Sequence, residues 1–453
     1  MADYSLGYGG IGSGLDITGM VEQLVAADRA PADNRLNRVE NAAKFKISAL
    51  GTVSSAFNNL QTALKAMTGA DAFDARSVKS STDTTLTATA GKSTPTGTYN
   101  IEVLSLATAN KWLADSPVAT SQTFAAGKLS VQVGDTTLDV DVPAGATLAD
   151  IRSAINQAGA GKGVQASIVS ANEGQFLSLS ADKTGADNSV SLAFAEGGSD
   201  LQDLVASMQE RVQAKDARVS IDGLEITASN NTLTDAVPGL SLVLKSEGSS
   251  TVTVSGDVAA SRKLVQDFVT AYNAALAAIG TATAYDAEND APSALTGDAQ
   301  MRGASGQLRG MLGNLLGDLA AQGLDAKTLG LQTKGYPSSD GSLVLDTAKF
   351  DAAMAKDPDR IRAAFTGDSG FANTLLDTVK GYIGTDGAFT RRTATLNLQV
   401  KDVATQRTAL DARMEAVGNR YKAQFVALDS MISQMNSTSS YLSQQLASLA
   451  AQI

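Results

Sequence analysis

Apolar residues near the start of the chain recur at helical spacing and predict two consecutive helices. The first helix has one apolar face, formed by residues at i, i+3, i+4, i+7 and i+8: Ile17, Met20, Val21, Leu24 and Val25. Pro31 is expected to end this helix, because proline lacks an amide hydrogen and clashes with the preceding turn. A second helix is predicted from about Asp33 to Met67, with the three- and four-residue gaps typical of a coiled-coil seam. Its seam positions are Leu36, Val39, Leu50, Phe57, Leu60 and Leu64.

The other end of the chain carries a matching pattern. From Thr390, a predicted N-cap, to Ile453 there is no proline, and apolar residues follow a seven-residue repeat. The predicted seam comprises Val403, Leu410, Met414, Val417, Tyr421 and Leu428. After Tyr421 the companion apolar row reappears one residue later, at Phe425 and Ile432, which is a stutter that locally unwinds a supercoil. Because Gly418 lies beside the stutter, we expect a straightened or bent segment there.

Between the helical ends, apolar and polar residues alternate with period two and predict β structure. Residues 129–142 predict a hairpin around Gly134-Asp135, and a short helix follows that opens with a capping box of Thr147 and Asp150. A second β region spans residues 218–255 and contains a predicted hairpin turn at Asp222-Gly223. Shorter helices are expected after this region.

Together these patterns predict an α+β multidomain fold, with a long helical coiled-coil stalk formed by both chain termini and inserted β-rich head domains. At 453 residues the chain exceeds the roughly 100–200 residues of one domain. The predicted divisions are a flexible tail with a terminal amphipathic helix (1–32), the helical stalk with a short hairpin (33–75 and 258–430), a first head domain (76–195), a second head segment (196–257) and a C-terminal amphipathic helix (431–453).

Composition removes several classes of function. The chain contains no His and no Cys, so it cannot form a Ser-His-Asp triad, a Cys-His pair, a His-ligated metal site or a disulfide. A formal net charge of −11 argues against a nucleic-acid partner. No apolar stretch is long enough to span a membrane, and no signal peptide of the secretory type is apparent. We therefore expect no catalytic residues, no bound metal and no cofactor.

One acidic segment has a spacing that resembles a metal site. Asp286, Glu288 and Asp290 alternate as in a calcium-binding loop. Such a loop needs glycine at the next position, where this chain has Ala291 followed by Pro292. We interpret the segment as a solvated acidic loop.

The apolar face of the first helix can be either core or a docking surface. Pro31 separates it from the stalk helix and a flexible tail precedes it, which favours docking, and helix-in-groove recognition uses the same spacing. The second docking candidate is the apolar face at the C-terminus, formed by Ile432, Met435, Leu442, Leu446 and Leu449.

Several segments, in order along the chain, resemble the bacterial flagellar filament cap family, the FliD family. Residues 13–17 (SGLDI) and 21–24 (VEQL) are similar to its N-terminal signature. Residues 144–151 (AGATLADI) are similar to a hairpin-helix motif shared by flagellin and hook-associated proteins. Residues 434–442 (QMNSTSSYL) are similar to its C-terminal signature. The shared order of these segments carries the resemblance.

The resemblance implies a secreted scaffold at the distal tip of the flagellar filament, where several copies form a cap that promotes ordered polymerisation of exported flagellin and prevents its loss. The implied partners are further copies of the chain, flagellin, the hook-filament junction protein, a dedicated export chaperone and the flagellar type III export apparatus. The alternatives are another flagellar axial or junction protein, a surface adhesin, and a glycan-cleaving enzyme that uses two carboxylates. The C-terminal signature favours the cap.

Overall fold

The computed structural model describes residues 14–69, 71–321, 324, 326–335, 340–366 and 370–450. Its α-helices within these residues are α1 (Ile17–Thr68), α2 (Leu148–Ala158), α3 (Ser199–Ala206), α4 (Val258–Thr283), α5 (Ala299–Ala321), α6 (Ala326–Leu329), α7 (Thr347–Lys356), α8 (Pro358–Thr366), α9 (Phe371–Ile383) and α10 (Ala388–Ala450). Its strands are β1 (Arg76–Ser80), β2 (Leu86–Ala90), β3 (Gly97–Ser105), β4 (Ala109–Ala114), β5 (Thr123–Phe124), β6 (Gly127–Val133), β7 (Thr136–Val142), β8 (Ala146–Thr147), β9 (Val164–Ala171), β10 (Gly174–Thr184), β11 (Val190–Glu196), β12 (Met208–Val212), β13 (Ala217–Ile221), β14 (Leu224–Ala228), β15 (Thr232–Val237), β16 (Leu240–Leu244), β17 (Gly248–Gly256), β18 (Tyr285–Asp286), β19 (Ala291–Pro292), β20 (Leu331–Thr333) and β21 (Leu343–Leu345).

The chain divides into two compact units. The terminal unit comprises the described residues of 1–70 and 262–453, and the central unit comprises residues 71–261. Long helices from both ends of the chain form the terminal unit, whereas the central unit is rich in strands. The predicted α+β fold, with helical termini around inserted β structure, is confirmed.

Helices α1 and α10 pack against each other along the terminal unit. The two helices are antiparallel. Glu40 of α1 pairs with Arg407 of α10, whereas Asp28, which is earlier in α1, pairs with Tyr421, which is later in α10. Toward the C-terminal end of α1, Phe57 packs edge-on against Phe389 of α10 and Tyr382 of α9, at ring-centroid distances of 5.2 and 5.6 Å. Edge-to-face aromatic packing adds to the stabilisation that burial provides. This aromatic cluster fixes α9 and α10 against α1.

The predicted break at Pro31 is wrong, because α1 is one helix of 52 residues with the proline inside it. A proline within a helix costs about 3 kcal/mol or more, since one backbone hydrogen bond is lost. Arg29 spans this site, with nitrogen-oxygen distances of 2.6 Å both to Asp33 on α1 and to Asp411 on α10. Ion pairs with α10 lie before the proline, at Arg29, and after it, at Glu40, and they hold the two halves of α1 along α10.

Helix α10 is also longer than predicted. It begins at Ala388, and Thr390 lies within its first turn, where its hydroxyl donates to the Gly384 carbonyl at 2.9 Å instead of capping the helix. The helix continues through Gly418 to Ala450, so the C-terminal amphipathic segment predicted as separate, 431–453, extends α10 as far as it is described. A Cβ at Gly418 would lie 3.5 Å from Val25, which places this glycine at the α1 contact.

The central unit has two hydrophobic cores, and the segment that forms one core is inserted within the segment that forms the other. One sheet, in the order β1-β17-β3-β13-β14, pairs strands from both ends of the unit. The stretch from β4 to β12 lies between β3 and β13 in sequence and builds a separate core with α2 and α3. The predicted division between residues 195 and 196 differs from this arrangement, because long-range antiparallel pairing joins β3 to both β13 and β17.

The local turn chemistry of the central unit follows the sequence. Strands β6 and β7 form the predicted hairpin, and Gly134 in its turn has a φ of +54°. In the hairpin of β13 and β14, Asp222 and Gly223 have φ values of +48° and +88°. Two positive φ values in succession are what a type I′ turn requires, and this turn matches the right-handed twist of the strands. Both hairpin predictions are confirmed.

The predicted capping box at α2 is present. The Thr147 hydroxyl accepts a hydrogen bond from the Asp150 amide at 3.3 Å, and the Asp150 carboxylate accepts one from the Thr147 amide at 2.9 Å. These bonds satisfy amides that the first helical turn leaves without partners. The bond from the Thr147 amide is also the main reason that the pKa of Asp150 is lowered.

Thr147→Ala is expected to destabilise the central unit by about 1 kcal/mol, because the cap loses its hydroxyl. Thr147→Ser keeps the hydroxyl and is expected to melt close to the unsubstituted protein. Thermal denaturation of both variants, followed by circular dichroism, measures the difference. Equal melting temperatures for the two variants would contradict a stabilising role for this cap.

Candidate docking surfaces

The seam residues predicted from the sequence differ in burial along the helix pair. The fully buried positions are Leu36, Leu50, Phe57, Leu60, Leu64, Val403 and Met414. The half-buried positions are Val39, Leu410, Val417 and Tyr421. Leu428 departs from the prediction, because 47 % of its surface is exposed. The row that faces α1 shifts after Tyr421, where Phe425 and Ile432 are half-buried instead.

Polar contacts flank the seam and set the register of the two helices. Arg407, the polar interruption of the C-terminal repeat, donates to Glu40 at 2.7 Å and to Asn37 at 2.5 Å. Glu40 also pairs with Lys44 at 2.6 Å. Lys44, and after it Arg407, lower the pKa of the Glu40 carboxyl, so that this carboxylate stays charged at neutral pH. Pairs that match at only one helix register contribute specificity as well as energy.

The N-terminal docking candidates lie mostly against the rest of the terminal unit. Ile17 is only 4 % exposed and is therefore core. Met20, Val21 and Val25 are half-buried, while Leu24 is exposed. Of the predicted flexible tail before them, residues 1–15, the first thirteen residues lie outside the described part of the chain. Most of this face is therefore already covered within one chain.

The C-terminal docking candidates lie on a helix face that the described residues leave largely exposed. Met435, Leu442 and Leu446 are 64 %, 55 % and 67 % exposed, whereas Ile432 is half-buried. The Leu449 side chain lies outside the description. Two exposed apolar residues of this segment, Met431 and Tyr441, were not among the predicted positions. Met431 could have been found from its spacing, because it precedes Met435 by four residues and Leu442 by eleven.

The face is exposed because the N-terminal end of α1, at Ile17, does not reach as far as the C-terminal end of α10. Asp28 lies beside Tyr421, and only the residues from Ile17 to Ala27 remain in α1 beyond that level. Since both helices rise equally per residue, these residues extend alongside α10 only to about Ile432. Helix α10 continues to Ala450. Its last turns therefore carry an apolar stripe that α1 does not cover.

The charge pattern of this terminal segment also distinguishes it from the rest of α10. Residues 430–453 contain no Asp, Glu, Lys or Arg, and their polar positions are mainly Ser, Gln, Thr and Asn. Burying a charged side chain is costly unless it is paired, whereas hydroxyl and amide groups can be buried with single hydrogen bonds. A helix without charges can therefore be enclosed on several sides by partner helices. We call residues 430–450 the terminal segment.

The described residues also bear on the other classes of site. No helix among them combines the length and the hydropathy needed to cross a membrane. No cluster of three potential metal-ligating side chains occurs in the described part of the chain. One groove, of about 450 Å³, contains two carboxylates, Asp141 and Glu196, on either side of Lys128. Both carboxylates are solvent-exposed, whereas a glycosidase acid needs an apolar setting that raises its pKa.

Family models match the chain at both ends and in the middle. The model described as flagellar hook-associated protein 2 N-terminus matches residues 13–110, and the C-terminus model matches residues 214–437. The model described as flagellin hook IN motif matches residues 128–183. The C-terminal match includes the first part of the terminal segment.

Curated relatives match over nearly the whole chain. B-type flagellar hook-associated protein 2 of Pseudomonas aeruginosa is 33 % identical over 99 % of this chain and 98 % of its own length. Flagellar hook-associated protein 2 of Escherichia coli is 32 % identical over 96 % of this chain and 97 % of its own length. Among solved structures, the D1-D2-D3 domains of the E. coli flagellar cap protein FliD match with a TM-score of 0.59 and 30 % identity, over 77 % of this chain and 99 % of theirs.

Proposed function

This chain belongs to the flagellar hook-associated protein 2 family, and we propose on that premise that several copies of it cap the distal end of a bacterial flagellar filament. The observation that carries the proposal is the similarity over nearly the full length, including both terminal helices, to proteins of this name. The name of the matching E. coli structure, a flagellar cap protein, supports the same role.

The cap acts as a scaffold for flagellin. It holds exported subunits near the growing end long enough for them to polymerise in order, and it prevents their loss into the medium. The uncharged terminal segment supports attachment to the filament, because its apolar stripe is exposed in the single chain. Helix-in-groove docking buries such a stripe at i, i+3, i+4 and i+7 positions.

The chain reaches its place by export through the flagellum. The partners on this route are the dedicated export chaperone, the flagellar type III export apparatus and the hook-filament junction protein. The absence of cysteine supports the route, because no disulfide can cross-link the chain before it passes a narrow channel. The protein is secreted and remains at the tip.

The scaffold works without catalysing a reaction. The lack of His and Cys supports this, since most hydrolase mechanisms need one of them. A two-carboxylate glycosidase needs neither. Purified protein incubated with polysaccharides is expected to release no sugar, and release above a heat-denatured control would contradict the scaffold role.

Imaging of labelled protein on filaments tests the location. We expect a single labelled spot on each filament, at the end that is distal to the cell. A label at the cell-proximal end would indicate a junction protein, and a label spread over the cell surface would indicate an adhesin.

A further inference from the structure

A lysine-lined groove occurs on the terminal unit of this otherwise acidic chain. The groove has a volume of about 470 Å³ and lies between α6 and α7. Three of its lining residues are lysines, Lys327, Lys349 and Lys356, and its apolar lining includes Ala352 and Ala353. None of the groove's lining residues is acidic. We call it the lysine groove.

The backbone around Gly330 builds this groove. Gly330 has a φ of +79°, and a Cβ at this position would lie 2.5 Å from the Asp346 carbonyl oxygen. The Gly330 carbonyl accepts a hydrogen bond from the Asp346 amide at 2.8 Å. Only glycine allows this close approach without strain. The turn after α6 is thereby held against the start of α7, which keeps Lys327 and Lys349 at the same groove.

The acidic loop of the terminal unit has the opposite chemistry. Its strands β18 and β19 form a short hairpin, and residues 264–301 around it contain no Lys or Arg. Asp286 accepts hydrogen bonds from the Glu288 and Asn289 amides at 3.0 and 3.2 Å, which gives the loop a defined shape. The ring of Tyr285 is 53 % exposed on the same hairpin. We call residues 285–292 the acidic hairpin.

The Asp286 carboxylate of the acidic hairpin stays charged at neutral pH. Hydrogen bonds from the Asn289 side chain and amide lower the pKa of Asp286. Asp286, Glu288 and Asp290 are all exposed, on the same hairpin as one exposed aromatic ring. The groove is lined by three lysines and by alanine methyl groups, so it is complementary to the hairpin in both respects. Lys349 also pairs with Asp346 beside the groove, at 3.5 Å.

We propose that the acidic hairpin of one copy docks into the lysine groove of a second copy. The inference rests on the proposed function, because it takes the cap to be built from several copies of the chain. A contact in which one surface of a copy meets a different surface of the next copy is heterologous. Such contacts form a closed ring when the rotation from copy to copy brings the last copy back to the first. Charge pairs at the rim of an interface set orientation and exclude wrong partners. The contact therefore fixes how neighbouring copies are arranged.

Two variants of the full-length chain separate the two surfaces. The groove variant is Lys349→Glu with Lys356→Glu. The hairpin variant is Ala287→Lys with Glu288→Lys, which leaves Asp286 and Asp290 in place. Both variants change exposed residues, and the Lys349–Asp346 pair that the groove variant loses is itself exposed, so we expect nearly unchanged melting curves. The control for the groove variant is Lys65→Glu with Lys263→Glu, which makes the same change in net charge as that variant, at exposed sites elsewhere on the terminal unit.

Sedimentation velocity measures self-association of each chain. In the groove variant the introduced glutamates face the acidic hairpin, and in the hairpin variant the introduced lysines face the lysine groove. Each variant alone is therefore expected to associate at least about tenfold more weakly than the unsubstituted chain. The control is expected to associate normally. An equimolar mixture of the two variants is expected to form heterodimers, since the hairpin of the groove variant and the groove of the hairpin variant are both intact. Neutral versions, Lys349→Gln with Lys356→Gln and Glu288→Gln, replace any variant that fails to fold.

Four results would overturn the interface. Two of them concern the variants: either variant self-associates as strongly as the unsubstituted chain, or the mixture shows no association. The third is an unsubstituted chain that stays monomeric at every concentration measured. The fourth is a groove variant that loses flagellin binding while its self-association is unchanged. The last result would assign the groove to flagellin. The proposed function has a separate readout, which is whether cells that lack the gene form filaments. An interface that fails while deletion still abolishes filaments leaves the cap function standing.

Discussion

Replacing Met435, Leu442 and Leu446 with serine is expected to abolish attachment to filament ends while the free protein melts almost unchanged. These side chains are largely exposed in the single chain, so they contribute little to its stability. On docking, burial of each would contribute roughly 1.5–3 kcal/mol. The loss of three such contributions lowers affinity about a thousandfold or more. The measurement is binding of labelled protein to the ends of purified filaments.

Leu398 provides the matched control for this experiment. It lies on the same helix and is 67 % exposed, as Leu446 is, but it lies outside the terminal segment. Leu398→Ser is expected to bind filament ends normally. If the triple variant binds as well as this control, the terminal segment is not the attachment site. A large fall in the melting temperature of the triple variant would instead show that these residues are core.

Features that depend on neighbouring residues could be predicted from the sequence. The Asp222-Gly223 turn and the capping box at Thr147 need only short-range chemistry, and both are present. The α1 and α10 seam is also largely predictable, because apolar periodicity identifies buried positions such as Leu50 and Val403. These signals are local or periodic, so a single sequence contains them.

Features that depend on tertiary contacts could not be predicted in the same way. Pro31 is a helix breaker by its own chemistry, and the contacts of Arg29 with Asp411 that accompany the continuous helix are made across the chain. The nesting of one core within the other depends on the pairing of β3 with β13 and β17. Strand partners more than one hundred residues apart leave no local signature.

The docking face was only partly predictable, for a geometric reason. Periodicity marks Ile17 and Leu446 as equally apolar positions, yet the first is buried and the second exposed. The difference arises from where α1 begins relative to α10, which no local pattern records. Leu428 is a different case, because the sequence itself shows the stutter after Tyr421 that turns its row away from α1.

Deletion of the gene tests the central claim most directly. Cells without the cap are expected to export flagellin that does not polymerise, because subunits leave the filament end before they are incorporated. The measurement is the amount of monomeric flagellin in the culture medium, together with electron microscopy of the cells. A plasmid copy of the unsubstituted chain is expected to restore filaments and lower the soluble flagellin. Filaments of normal length and number on the deletion cells would contradict the cap function.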